Sequence, residues 1–178
     1  MKTEPTGYWT FFCNPAKWEI DEFLLSGKEY DNYLVTPWQE KWFRPGQFGI
    51  VRVGVDKRSE KQLGGKKRLQ SGVYAIVEIM GIAREFNEKD IENQSDAYWI
   101  GDEVREGRKV VDLKYITNLI ERPLLIKEIK KSKSFADEYI RNGFQASTMP
   151  LRAAVFDAIV NWVGKPEDVL QTIWLSPE

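Results

Sequence analysis

The chain has 178 residues, 42% of them hydrophobic and 30% charged, with a formal net charge of −1, an ordinary globular balance long enough for one well-buried domain. It contains no His and one Cys, Cys13, so an internal disulfide, a Cys/His zinc cluster and every Ser-His or Cys-His nucleophile are excluded. No apolar run approaches the ~20 residues of a membrane span, and no apolar signal region follows Met1, which makes a cytoplasmic location the default expectation.

The first strand is Tyr8-Trp9-Thr10-Phe11-Phe12-Cys13, aromatic and half-alternating, and it stops at Asn14-Pro15. A short amphipathic helix follows, with Ile20, Phe23 and Leu24 at helical spacing and Gly27 as its stop. Asn32 to Val35 reads as a short strand, Pro37 to Phe43 as a Trp-rich segment, and Arg44-Pro45-Gly46 as a turn into the strand Phe48 to Val55. Asp56 to Gln70 has no apolar period and reads as an exposed basic loop. Val73 to Ile82 is a strong, nearly continuous apolar strand. Asn87 to Gly107 is acidic and loop-like, interrupted by Tyr98-Trp99-Ile100. Alternation returns from Val110 to Ile120, limited by Pro123. Leu124 to Lys131 and Phe135 to Arg141 read as short helical pieces. The clearest helix runs from Pro150 to Val163, with Leu151, Ala154, Val155, Ala158, Ile159 and Trp162 on one stripe and Pro150 in its first turn. A final short helix spans Glu167 to Ile173.

Five or six strands interleaved with peripheral helices, without regular βαβ alternation, predict an α+β fold: a mixed sheet curled into a small barrel. Charge is uneven along it. Residues 41–70 carry nine Lys/Arg against two acids, and residues 85–107 carry two basic against eight acidic residues. Such a chain can present one positive face to phosphate while remaining near neutral. The alternative is a solvated loop. Aromatic residues make up 13% of the chain, which allows either a ring-rich β core or rings spared for a recognition surface.

The order of segments resembles the EVE domain. The resemblance is carried by Tyr8-Trp9…Asn14-Pro15, Tyr33-Leu34-Val35-Thr36, Arg44-Pro45-Gly46 and Ser71-Gly72-Val73-Tyr74-Ala75-Ile76-Val77-Glu78-Ile79. It continues through Val111-Asp112-Leu113-Lys114-Tyr115, Glu121-Arg122-Pro123-Leu124 and Gly143-Phe144-Gln145-Ala146-Ser147-Thr148-Met149-Pro150-Leu151. It spans about residues 8–163, which makes 1–178 a single EVE-like domain. The family is a PUA-like barrel related to the YTH domain. Three departures stand out: Tyr33 where the family more often has Trp, Gln47 where Asp is usual after Gly46, and Arg108 where many relatives have an aromatic, with Trp99 upstream as its substitute.

The resemblance implies a nucleic-acid-binding reader of a modified base, methylated or otherwise modified cytosine or adenine in DNA or RNA. It implies no catalysis and no cofactor or metal. Relatives occur alone or fused to restriction and other defence enzymes. A flipped base has two π faces, each worth ~1–3 kcal/mol in stacking, and extraction from a duplex costs a few kcal/mol.

On this reading the base-binding candidates are Asn14, Tyr33, Trp38, Trp99, Gln145, Ser147 and Thr148, with a cavity bounded by Asn14, Tyr33, Trp38 and Gln145. Asn14 can donate and accept at a base edge, or can simply bond its own turn. Tyr33 and Trp38 are cage rings or core rings. Trp99 is a lid ring or an anchor for the acidic loop. Gln145 can read a base edge, while Ser147 and Thr148 either bond phosphate at a helix start or cap it. Lys57, Arg58, Lys66, Lys67 and Arg68 are the phosphate-binding candidates, which would position a strand without specifying its sequence. Two rival classes remain: a protein-interaction module with an aromatic groove, and a magnesium enzyme using Asp96, Asp102 and Glu103.

Overall fold

A computed structural model of the chain describes residues 3–92, 96–100 and 105–175, with backbone alone at 91–92 and 165–175. In chain order the elements are β1 (Tyr8–Cys13), α1 (Ile20–Leu25), β2 (Tyr30–Leu34), β3 (Phe48–Val53), α2 (Glu60–Leu63), β4 (Gly72–Ile79) and β5 (Arg84–Glu85). There follow β6 (Lys109–Asn118), β7 (Leu124–Leu125), α3 (Ile126–Lys131), α4 (Glu138–Asn142), β8 (Thr148–Pro150) and α5 (Ala153–Leu175).

The strands read at Tyr8, Phe48, Val73 and Val110 belong to one mixed sheet, whose main path is β2-β6-β4-β3-β1-β8, with β5 beside β6 and β7 beside β4. Only the β1–β3 pairing is parallel among the described strands. Period-two alternation sorts side chains to two cores. Trp9, Phe11 and Cys13 of β1 join Val111, Leu113 and Tyr115 of β6 inside the curl. Ile50, Val73 and Ile76 face outward, where Ile129, Ile140, Val155 and Ile159 of the helices cover them.

Two register shifts curl the sheet, between Val51 and Arg52 and between Ile76 and Val77. An irregularity of this kind bends a strand and increases its twist. The path bends until its two end strands meet beyond β2 and at β8. There Thr36 N donates to Thr148 Oγ1 at 3.1 Å, Thr36 Oγ1 donates to Thr148 O at 2.8 Å, and Thr148 N donates to Thr36 Oγ1 at 3.1 Å. Nearby, Tyr33 OH donates to Phe12 O at 2.7 Å. Closure therefore depends on side-chain hydrogen bonds, and the expected α+β curled barrel with peripheral helices is the fold.

Three expectations change. Asp56 to Gln70 is largely exposed loop, as expected, but it is not loop throughout. Ser59 and Gln62 form a reciprocal capping box that starts α2, and Gly64 ends it in the left-handed conformation at φ 56°. Pro150 is not in a helix: it ends β8, which pairs antiparallel with β1, and α5 begins three residues later. α5 also continues through Gly164 to Leu175, so residues 167–173 are not a separate helix. The stripe on α5 faces the outer core except at Ala154, which is exposed. No helix among the described residues is long and apolar enough to cross a membrane.

Candidate functional site

The polar seam between β2 and the β1–β8 edge opens into a cavity of about 500 Å³. Its walls come from the end of β1, from β2, and from residues 144–147 leading into β8. Phe12 N donates to Ser147 O at 2.9 Å, extending the β1–β8 contact along one wall. Gly143 makes the turn into that wall at φ 72°, and a Cβ there would lie 3.1 Å from the Phe12 ring. This position therefore favours glycine both conformationally and sterically.

Immediately after β1, the backbone turns at Asn14. Asn14 Oδ1 accepts from Ala16 N at 3.0 Å, and Asn14 O accepts from Lys17 N at 2.9 Å and Trp18 N at 3.2 Å. The turn role is thus filled by the side-chain oxygen, and Asn14 also lines the cavity. The turn also brings Trp18 back beneath the cavity, edge-on to Tyr33 with centroids 6.4 Å apart.

The acidic segment docks on this turn. Glu19 N donates to Tyr98 O and Ile100 N donates to Lys17 O, both at 2.8 Å, with a bridge between Trp18 and Trp99. Trp99 reaches the cavity from there. The Arg105 guanidinium lies 4.4 Å from the Trp99 ring and 4.6 Å from that of Phe86, and also pairs with Asp96. Such cation–π contacts hold a ring in place.

The floor is polar and buried. Asp31 and Asn32, in β2, are 3% and 5% exposed. Tyr115 OH donates to Asp31 Oδ2 at 3.0 Å, while Asn32 Nδ2 is buried with no hydrogen-bond partner. Burial, then the neighbouring Cys13 and Asp31, pushes the Tyr33 phenol well above its ordinary range. Burial and the Asp31 charge do the same to Tyr115. Both phenols stay protonated and remain donors. Burial, reinforced by Asp31, likewise pushes the Cys13 thiol up, so it is not a thiolate nucleophile.

Of the residues singled out from sequence, Asn14, Tyr33, Trp99, Gln145, Ser147 and Lys57 line this cavity. Trp38 does not. It lies on a 3-10 helix, Pro37–Trp42, 57% exposed and edge-on to Trp42. Thr148 is buried in the closure and donates to Gln39 Oε1 at 2.7 Å; with α5 starting at Ala153, neither it nor Ser147 sits at a helix start.

The basic segment departs further from expectation. Arg58 is 1% exposed, and its guanidinium bonds both oxygens of Asp21 and both of Asp56 at 2.8–3.1 Å. Burial raises the Asp56 carboxyl, but hydrogen bonds from Arg58 and Leu69 outweigh it and hold the group at about 2. Lys66 Nζ lies 2.9 Å from Glu22 Oε1, and Arg68 bonds Asp56 O, Arg58 O and Glu60. These cations organise the segment internally. Lys67 is exposed and away from the cavity. Lys57, Lys17 and Arg108 are the cations that line it.

Sequence reading missed Trp18, Asp31 and Asn32. The available signal was Asp31 two residues before Tyr33, a carboxylate on the inward face of a strand, where charge is rare without a partner or a use. Gln47, a departure from the resemblance, holds Trp9: the indole Nε1 donates to Gln47 Oε1 at 2.8 Å. At the Arg108 departure, Arg108 and Trp99 both line the cavity. Among the described residues no group of acids, thiols or imidazoles is placed to hold a metal; Asp96 pairs with Arg105, and Asp102 and Glu103 lie outside the described residues.

A mixed sheet curled on itself, with a ring-walled, polar-floored pocket at its seam, defines a PUA-like α+β domain. The sequence profile of the EVE domain matches residues 64–162, and the chain belongs to that family. No curated protein sequence matches it. Solved structures similar to it include a hypothetical protein from Leishmania major, 16% identical, with a TM-score of 0.60 and 93% of this chain and 99% of that one covered. Protein Atu2648 from Agrobacterium tumefaciens is 14% identical, with a TM-score of 0.55 and coverages of 88% and 92%. Human THYN1, solved in complex with DNA containing 5-methylcytosine, is 13% identical, with a TM-score of 0.54 and coverages of 89% and 98%. At these identities the likeness establishes the fold.

Proposed function

We propose that this protein is a non-catalytic nucleic-acid reader that receives one modified base, foremost a modified cytosine in DNA, in the seam pocket. The observation that carries this reading is the combination of aromatic walls, Trp18, Tyr33 and Trp99, with a buried polar floor in one cavity. A base needs both: flat apolar faces and fixed hydrogen-bonding partners at its edge. Lys17, Lys57 and Arg108 around the same cavity suit a ligand that arrives on a phosphate backbone. The 5-methylcytosine DNA bound by the structurally similar human protein supports the same class of ligand. The protonated Cys13 thiol favours binding over chemistry. The whole chain is read as one such domain.

The test is a titration panel of short oligonucleotides, single- and double-stranded, carrying 5-methylcytosine, 5-hydroxymethylcytosine or N6-methyladenine beside unmodified controls. One modified strand is expected to bind more tightly than its unmodified counterpart. Trp99→Ala should weaken that binding by ~1–3 kcal/mol through loss of a stacking face. Equal affinity for every strand, unchanged in the folded Trp99→Ala protein, would overturn the pocket assignment.

A further inference from the structure

Resting on the base-pocket reading, we propose that an exposed lysine face on α3 and the turn after it holds the phosphate backbone of the strand whose base enters the pocket. The face consists of Lys127, Lys130, Lys131 and Lys133.

Charge sets this face apart. Residues 126–133 carry four lysines against one acid, in a chain whose net charge is −1. All four lysines are exposed, and none forms an ion pair among the described residues. In the earlier basic segment, by contrast, Arg58, Lys66 and Arg68 are each paired with acids of the protein itself. The acids near α3 are engaged with backbone. Glu128 accepts from Leu125 N at 3.2 Å, and Asp137 accepts from Tyr139 N at 2.9 Å and Ile140 N at 3.2 Å.

Local structure fixes where the lysines point. Ile129 is buried in the outer core, so the opposite side of α3 faces solvent. Lys127, Lys130 and Lys131 fall on that side, at i, i+3 and i+4. Like charges at these spacings repel and oppose the helix. The helix dipole favours Lys130 and Lys131 in the last turn but disfavours Lys127 in the first. An external anion relieves that repulsion.

The sheet connects this face to the cavity. Cys13, which lines the cavity, pairs with Val53, Val53 with Gly72, and Gly72 with Leu125, the residue before α3. Three strand spacings of ~4.8 Å make that row about 14 Å long. A second link runs through Arg141, two residues before the turn at Gly143 into the cavity wall: its Nη2 donates to Ser132 O at 3.0 Å. Phosphates follow one another about every 3.4 Å along a duplex strand, so those roughly four steps from the bound base come within reach of α3. A regular polyanion delivered with a planar base fits both features, whereas an acidic peptide fits only the lysines.

The experiment titrates the protein with single strands of about 4 and about 16 nucleotides, each carrying 5-methylcytosine at its centre, beside unmodified counterparts. The comparison protein carries Lys127→Gln, Lys130→Gln, Lys131→Gln and Lys133→Gln, exposed changes whose folding is checked by near-ultraviolet dichroism. It should bind the longer strand about tenfold or more weakly at low salt, modified and unmodified alike. The slope of log affinity against log salt should fall by about three, at ~0.7 per contact on a single strand. Unchanged affinity and slope on the longer strand would overturn the lysine face and leave the base pocket in place. Polyglutamate binding tighter than the longer strand, and lost in the same variant, would also overturn it by making the partner an acidic protein. A weakened variant, with wild-type affinity equal for modified and unmodified strands and unaffected by Trp99→Ala, would keep the phosphate surface and overturn the pocket.

Discussion

Lys57 and Arg58 are neighbours in sequence with opposite placements. Lys57 is exposed at the cavity, whereas Arg58 is sealed between Asp21 and Asp56 and ties α1 to the segment after β3. Removing one member of a buried ion cluster leaves the remaining charges uncompensated, which costs ~3–5 kcal/mol. Arg58→Ala is therefore expected to lower stability by about that amount in denaturant titration. Lys57→Ala should leave stability nearly unchanged and reduce the salt slope of nucleic-acid binding by about one. The opposite pattern would show that the phosphate contact had been given to the wrong residue. The cluster also has a pH signature. Asp56 is held at about 2, below its unfolded value, so its contribution is present above roughly pH 4 and is lost as pH falls towards 2. Sequence could not separate the two cations, because a run of basic residues reads as solvated unless the acids that bury one of them, here from 37 residues away at Asp21, are known.

At the scale of elements, β7 meets β4 so closely that Gly72 is required. A Cβ at Gly72 would lie 2.4 Å from Leu124 O and 2.9 Å from Leu125 Cα, both backbone atoms that cannot turn aside. Gly72→Ala is expected to cost about 1–3 kcal/mol and to lower the thermal midpoint; an unchanged midpoint would mean that β7 is free to move off the sheet. β1 and β6 were legible from alternation, and β3 and β4 from runs of apolar residues, each continuing over six or more residues. β8 was not: three residues ending in proline carry no periodic signal, and their strand character comes from β1. The α2 capping box was written in Ser59 and Gln62, but without an apolar stripe beside it. The candidate site divides in the same way. Tyr33 and Trp99 could be placed near a pocket from segment order, whereas Trp38, four residues past the end of β2, could not be oriented. Its direction is set by the 3-10 turn that begins at Pro37. Asn32 was invisible as part of a floor because polar residues in a short strand ordinarily face water, and for Asp31 the one signal was its two-residue spacing from Tyr33.

For the whole molecule, the segment matched to the family and the segment that builds the site are not the same. The match covers 64–162, while β1, β2, β3 and the pocket residues Trp18, Asp31 and Tyr33 all precede it. β4 would lose its β3 neighbour, and the inner core would lose Trp9, Phe11, Phe23 and Val51. A fragment spanning 64–162 is therefore expected to remain unfolded, with no near-ultraviolet dichroism and no cooperative thermal transition; a cooperative fragment would show that the outer core suffices. The closure has a different consequence. Main-chain ladders bind every strand except across the join, which is fastened by Tyr33 to Phe12 and Thr36 to Thr148. The molecule is in effect a sleeve with buttons rather than a continuous tube, and the opening lies beside the buttons. Undoing them would break no strand pair, so on the base-pocket proposal a Thr36→Val protein is expected to stay folded and to release its ligand faster than wild type.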